Sequence, residues 1–244
     1  MLAPDVIGLR QFYGTFLGMQ VQSLVGSAVR RFWPAVGQDE LLAIGFCAPY
    51  LEPYSNDSKG LYICMPAQQG ASYWPSSDNN RVFLSHEAEL PLANDSVNRV
   101  LLIHSVETSE QLSWMMREVW RVLTPEGRVL AVVPNRRSLW SHSVRSPFGY
   151  GRPFNMAQLK TLMTDYQFTP TRTGSALFMP PLHIESAWRA AVGMEWLGRL
   201  FCPFFGGVWL VEAEKQLYAT IHQSAISRQP IRRSVIATPA MSRK

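Results

Sequence analysis

The run HEAELPLANDSVNRVLLIHSVE, residues 86–107, sets an acidic, proline-punctuated turn against an apolar strand that ends in His104, Ser105, Val106 and Glu107. In an open α/β sheet, ligands lie in the crevice outside the carboxyl ends of the strands, so a small-molecule site would be built at this join. A histidine placed there titrates near neutrality and could act as base toward an N–H or O–H group. The same ring could equally be a packed, hydrogen-bonded structural residue. Glu87 and Glu89 are either hydrogen-bond acceptors or members of an exposed acidic loop. Glu107 could simply begin the next helix, where the macrodipole favours a carboxylate.

A second stretch, PNRRSLWSHSVRSPFGYGRPF at residues 134–154, alternates Arg136, Arg137, Arg145 and Arg152 with Trp140, Phe148, Tyr150 and Phe154. Such length is unusual for a connection in a compact domain and marks lids or substrate-binding segments. Its arginines could hold an anionic substrate while its aromatic rings shield the reacting group. The alternative is a loop permanently packed on the aromatic residues of 178–209, or a surface for a partner.

These residues need a frame. Residues 109–123, SEQLSWMMREVWRVL, carry apolar side chains at helical spacing, TPEG is a turn, and RVLAVVP at 128–134 is an all-apolar strand. Strand, helix, strand implies a parallel sheet. The periodicity predicts a helix over 5–33 stopped by Pro34, then strands over 41–46, 61–64, 81–84, 99–104 and 128–134. A helix over 156–168, a strand near 175–179 and a seventh strand at the start of 207–219 complete the pattern.

A chain of 244 residues with 47% hydrophobic content can bury one sizeable α/β core, which would also use most of its aromatic residues. Cys47, Cys64 and Cys202 are too few and scattered for a disulfide framework and read as reduced core thiols; the five histidines never fall at metal-ligand spacing, so no metal is expected. With no leader-like or membrane-spanning run, a cytoplasmic location is expected. Of the net charge of +5, all is carried by Arg228, Arg232, Arg233, Arg243 and Lys244. The organisation expected is one domain over 1–223, with an N-terminal helix, and a basic, disordered tail over 224–244 that is either solvated or touches an anionic surface or RNA.

ELPLANDSVNRVLLIHSVE followed by MMREVWRVLTPEGRVLAVVPN resembles the middle of a class I S-adenosylmethionine-dependent methyltransferase, of the subgroup labelled methyltransferase type 11. The resemblance spans residues 41–218 and is strongest over 87–135. It implies an α/β, Rossmann-like sheet of seven mostly parallel strands, helices on both faces, the last strand antiparallel, and S-adenosylmethionine as cofactor. Carried onto this chain, Gly45 aligns with the first glycine of the cofactor loop and Phe46 follows it. Met65 stands where the ribose carboxylate is expected, with Gln68 and Gln69 as substitutes. Glu87 would face the adenine amine and the Ala88 amide a ring nitrogen. His104 would lie beside the transferred methyl, and Arg136, Arg137, Trp140 and Tyr150 would form the substrate or lid segment. The loop IGFCAPY departs from the glycine-rich pattern at Cys47 and Pro49, and Pro49 has no amide to donate.

Three functions follow from these residues: methyl transfer to a small molecule, lipid-like compound or protein; a degenerate methyltransferase fold serving as scaffold or partner; and RNA methylation. No base-clamping Asn-Pro-Pro-Tyr-type sequence follows the fourth strand, which counts against the third. The acceptor and the oligomeric state are not legible.

Overall fold

The computed structural model describes residues 4–181 and 188–217. A seven-stranded sheet organises them: β1 (Glu40–Gly45), β2 (Gly60–Pro66), β3 (Val82–Ser85), β4 (Val97–Ile103), β5 (Leu123–Pro134), β6 (Phe168–Ala176) and β7 (Val208–Lys215), in the order β3-β2-β1-β4-β5-β7-β6. β1 to β5 pair in parallel, and β7 runs antiparallel between β5 and β6. The helices are α1 (Val6–Tyr13), α2 (Phe16–Phe32), α3 (Leu112–Val122), α4 (Met156–Asp165) and α5 (Trp188–Phe201). The expected Rossmann-like fold is therefore the observed one.

Central strands read as continuous apolar runs because both faces are covered. In β1, Leu41 and Ala43 join a core with α1 and α2, to which Leu61, Ile63, Leu101, Ile103 and Leu130 also contribute. Leu42 and Ile44 face the opposite way, onto Met115, Met116 and Val119 of α3 and Leu159 and Met163 of α4. The order reverses between β1 and β4, so the crevice for a ligand opens beyond the carboxyl ends of those two strands.

Several sequence expectations shift. The helix over 5–33 is two helices, because Thr15 caps α2 through a 3.0 Å bond from the Gly18 amide to its hydroxyl. The TPEG turn lies within β5, where its four residues stand opposite Asn98 alone between the Val97↔Leu123 and Arg99↔Arg128 pairings. α4 stops at Asp165, since Gln167 adopts φ +61°, and β6 begins at Phe168 rather than near 175. Cys47 and Cys64 are buried thiols as expected, whereas Cys202 is exposed.

The larger departure concerns the connections. Segments 46–59, 67–81 and 86–96 contain no α-helix; the first has only 3₁₀ turns at Ala48–Tyr50 and Glu52–Tyr54, each carrying a proline. α1 and α2, which precede the sheet, cover the face that crossover helices would otherwise fill. Trp33, at the end of α2, is buried and donates its indole N–H to Glu212 of β7 at 2.8 Å.

Candidate functional site

The turn after β4 is held by its own backbone and by β2's exit. His104 adopts φ +54°, uncommon for a residue with a side chain, and its carbonyl accepts from Gln69 Nε2 at 3.2 Å and Thr108 Oγ1 at 3.1 Å. The conformation turns the imidazole inward, where it is 2% exposed. Nδ1 lies 3.2 Å from Glu107 Oε1 and Nε2 lies 2.8 Å from the Tyr13 hydroxyl, which is 2.7 Å from that of Tyr50. An ionised carboxylate only accepts, so His104 Nδ1–H donates to Glu107. In the neutral ring Nε2 then accepts from Tyr13, and Tyr13 from Tyr50. Burial raises both phenol pKa values above the ordinary range, with the neighbouring Tyr50 adding to the rise at Tyr13, so each keeps its proton. Phe46 stacks on Tyr13 and Phe148 lies 5.0 Å from the His104 ring.

His104 is thus a buried hub whose two nitrogens are both engaged. Glu107 does not begin a helix: α3 starts five residues later, and the carboxylate turns into the protein. Three buried polar atoms here make no hydrogen bond among the described residues: Gln69 Oε1, Ser105 Oγ and Glu107 Oε2. All three belong to segments leaving the carboxyl ends of β2 and β4. α1 lies over them, tied by the Val6 amide to the Gln69 carbonyl at 2.7 Å and by Tyr13 to His104.

Gly45 ends β1 at φ +94°, and a Cβ there would collide with the Ile103 carbonyl. The glycine is required by the close approach of β1 to β4. Phe46 is buried beside it, and Met65 is wholly buried in the core with α1 and α2. Glu87 is 7% exposed; its Oε1 accepts from Ser109 Oγ and the Gln111 amide, both at 2.8 Å. It is not part of a solvated acidic loop. Ala88 is half-buried, its amide directed to His86 Nδ1 at 3.3 Å.

A clamp on α3 fixes the turn that carries Glu87. Glu118 accepts from the Leu90 amide at 2.8 Å, and Arg121 donates to the carbonyls of Leu90 and Leu92, to Asn94 and to Glu118. Glu118 and Arg121 are two of the three charged residues of the REVWRVL motif, and their spacing suits this clamp. The Arg121 guanidinium, with the Leu90 amide, holds the Glu118 pKa below the usual carboxylate range, against a smaller rise from burial. A carboxylate with a depressed folded pKa stabilises above its unfolded pKa and loses that contribution as pH falls through the folded one. Glu118→Gln is expected to cost about 1–2 kcal/mol at neutral pH and less at an acid pH below the depressed folded pKa. Urea titrations at both pH values check this; a cost that persists in acid removes the ion pair as its origin.

The loop over 135–154 is packed. Asn135 is fully buried and donates its side-chain amide to the Phe204 and Gly206 carbonyls at 3.0 and 2.8 Å. Trp140 is buried, gives its indole N–H to the Met179 carbonyl at 2.7 Å and meets Phe148 edge-on. The Arg152 amide bonds the Glu107 carbonyl at 2.7 Å. Arg136 and Arg152 border an open cavity of about 540 Å³ with Leu112, Phe154 and Gln158. Arg137 is exposed, and the Tyr150 hydroxyl donates to the Val144 carbonyl at 3.1 Å. Of the four residues expected in the substrate or lid segment, Trp140 is buried, Arg136 and Arg137 are exposed and Tyr150 is half-buried.

The structure gathers Gly45, Phe46, Glu87, Ala88 and His104 around one sheet edge. Tyr13, Tyr50 and Ser109 were missed, and only Ser109, one turn before the helix that follows β4, carried a sequence signal. As a test of the expected cofactor, Glu87 and the three unpaired polar atoms fit an adenosyl group with a charged amino-acid arm. Met65 does not fit the ribose position; Gln69 is the buried polar group nearest in sequence to it.

Residues 46–131 match a family model described as a methyltransferase domain, of type 11. Among solved structures, an S-adenosylmethionine-dependent methyltransferase of Thermotoga maritima, described as a possible histamine N-methyltransferase, is 13% identical, with 86% of this chain and 96% of that chain covered and a TM-score of 0.61. One of Archaeoglobus fulgidus is 18% identical over 86% and 98%, at 0.55. The 1,6-didemethyltoxoflavin-N1-methyltransferase of Burkholderia thailandensis, solved with 1,6-didemethyltoxoflavin and S-adenosylhomocysteine bound, is 13% identical over 78% and 76%, at 0.51. No curated protein matches by sequence. The chain has the fold of the class I S-adenosylmethionine-dependent methyltransferases. The match to the methyltransferase family model is confined to residues 46–131.

Proposed function

We propose that the chain binds S-adenosylmethionine beyond the carboxyl ends of β1 to β4 and transfers its methyl group to a small molecule or a protein. The observation that carries this is that Gln69 Oε1, Ser105 Oγ and Glu107 Oε2, on the segments leaving β2 and β4, are buried with no hydrogen-bond partner among the described residues. Buried polar groups left unpaired cost about 1–3 kcal/mol each, which a polar ligand would recover. Glu87 and the Ala88 amide would hold adenine, Gln69 a ribose hydroxyl, and Ser105 with Glu107 the amino-acid arm. The bound cofactor supplies an electrophilic methyl on a sulfonium. The protein's work is alignment and exclusion of water. His104, with Nδ1 given to Glu107, positions that carboxylate, and its Nε2 is occupied by the Tyr13 hydroxyl.

A second reading, a degenerate fold acting as a partner, draws on Met65 in the ribose position and on Tyr13 and Phe46 filling space beside Gly45. Calorimetric titration with S-adenosylmethionine and S-adenosylhomocysteine separates the two. Both should bind with one site, and Glu87→Gln, which keeps an oxygen for Ser109 and Gln111, should weaken them about tenfold. Absence of binding by a folded protein assigns the chain to the second reading.

A further inference from the structure

α4 turns one face to the core and leaves another open. Leu159 and Met163 are fully buried, whereas Gln158, Thr161, Leu162 and Asp165, three or four positions apart, line the cavity of about 540 Å³ that Arg136 and Arg152 border. That volume is within the range of small-molecule sites. Because a helix rises about 1.5 Å per residue, the cavity is a groove running about 15 Å from its Asn155 end to its Asp165 end.

The two ends differ in charge. Beside Asn155, the Arg136 amide donates to the Phe154 carbonyl and the Phe154 amide to the Pro134 carbonyl, both at 3.0 Å, so one backbone pairing carries the segments of Arg136 and Arg152. Arg136 Nε donates to the Pro153 carbonyl at 3.2 Å. Its other guanidinium N–H groups, and the whole Arg152 side chain, have no hydrogen-bond or ion-pair partner among the described residues. The one acidic side chain among the described residues of the lining, Asp165, stands at the opposite end and pairs with neither. Between the ends the lining is largely apolar. Leu112, Phe154 and Leu162 lean on the core shared by α3 and α4 yet are only half-buried, so each keeps surface in water that an apolar ligand would cover. The groove adjoins the carboxyl edge of the sheet: the Arg152 amide donates to the Glu107 carbonyl at 2.7 Å, and Leu112 follows Gln111, whose amide holds Glu87.

We propose that this groove seats the methyl acceptor and that the acceptor is an amphipathic anion, its carboxylate or phosphate head on Arg136 and Arg152 and its apolar body along α4. The assignment of the ligand as acceptor rests on the methyltransferase reading. Arginine suits either head, because its planar guanidinium gives two parallel N–H bonds to an oxyanion. A cation with the same apolar body meets like charge at that end and is rejected.

The test is a ligand-observed NMR titration of the full chain, without cofactor, by octanoate, octyl phosphate and octylammonium. At least one anion should bind, less tightly as salt rises, and octylammonium should bind at least tenfold more weakly than that anion. The tighter anion identifies the head group. Arg136→Gln/Arg152→Gln should weaken anion binding about tenfold with an unchanged circular dichroism spectrum. Should that variant misfold, Thr161→Glu, which sets a carboxylate at an exposed position of the groove, should weaken it about threefold. No binding of either anion, equal binding of octylammonium, or unchanged binding by the folded variants would overturn the proposal. So would competition between the anion and S-adenosylhomocysteine, since acceptor and cofactor must be held together. Anion binding by a chain that does not bind S-adenosylhomocysteine would overturn the methyltransferase reading, and with it the acceptor role, while supporting the groove's anionic ligand.

Discussion

Gly45→Ala should destabilise the protein by about 3 kcal/mol. A left-handed backbone costs an L-residue about 1–2 kcal/mol, and forcing an atom into a filled space costs about 1–3 kcal/mol more. Both apply, because Gly45 sits at φ +94° and its missing Cβ would meet the Ile103 carbonyl. Gly37 supplies the comparison: it also has positive φ, at +56°, with nothing within 4 Å of an added Cβ. Gly37→Ala should therefore cost only the conformational part, about 1 kcal/mol. Urea unfolding of the two variants measures the difference. Equal losses would mean that β1 and β4 can move apart at no cost, and the tight β1 exit would not be a fixed part of the site.

His104→Ala carries the second large effect, an expected loss of about 3–5 kcal/mol. The substitution leaves the Glu107 carboxylate buried with neither oxygen paired and strips the ring from between Tyr13 and Phe148. A buried carboxyl group without hydrogen bonds is worse than an apolar side chain, so adding Glu107→Leu should recover about 1 kcal/mol or more of the loss. Denaturation of the wild type, both single variants and the double variant gives the coupling directly. Strictly additive losses would deny that His104 and Glu107 act as a pair.

Strong periodic segments were readable from sequence. The apolar runs of β1, β4 and β5 and the α3 spacing gave the centre of the sheet, with boundary errors of a few residues wherever a single φ decided, as at Gln167. The charged pair Glu118 and Arg121 was visible as part of a motif, but its purpose, fixing the carbonyls of Leu90 and Leu92, is a tertiary fact. Glu87 was singled out through a resemblance, and its burial under Ser109 and the Gln111 amide could not be read from an acidic loop. Tyr13 illustrates what no local pattern conveys: it looks like one more apolar position on a helix, yet its hydroxyl reaches a histidine 91 positions away. Trp140, expected on a lid, is core because an indole can be buried wherever its N–H finds a carbonyl.

The bond from Trp33 to Glu212 spans 179 positions of the chain. Ribosomes add about 5–20 residues per second, so roughly 10–35 s separate synthesis of the two partners. During that interval the faces of α1 and α2 bearing Leu9, Leu17, Val21, Val25 and Val29 have no completed sheet to cover them. A nascent chain in that condition is open to chaperone capture or to collapse onto its neighbours, and synonymous codon changes that slow the ribosome between the second helix and the last strand would lengthen the exposure.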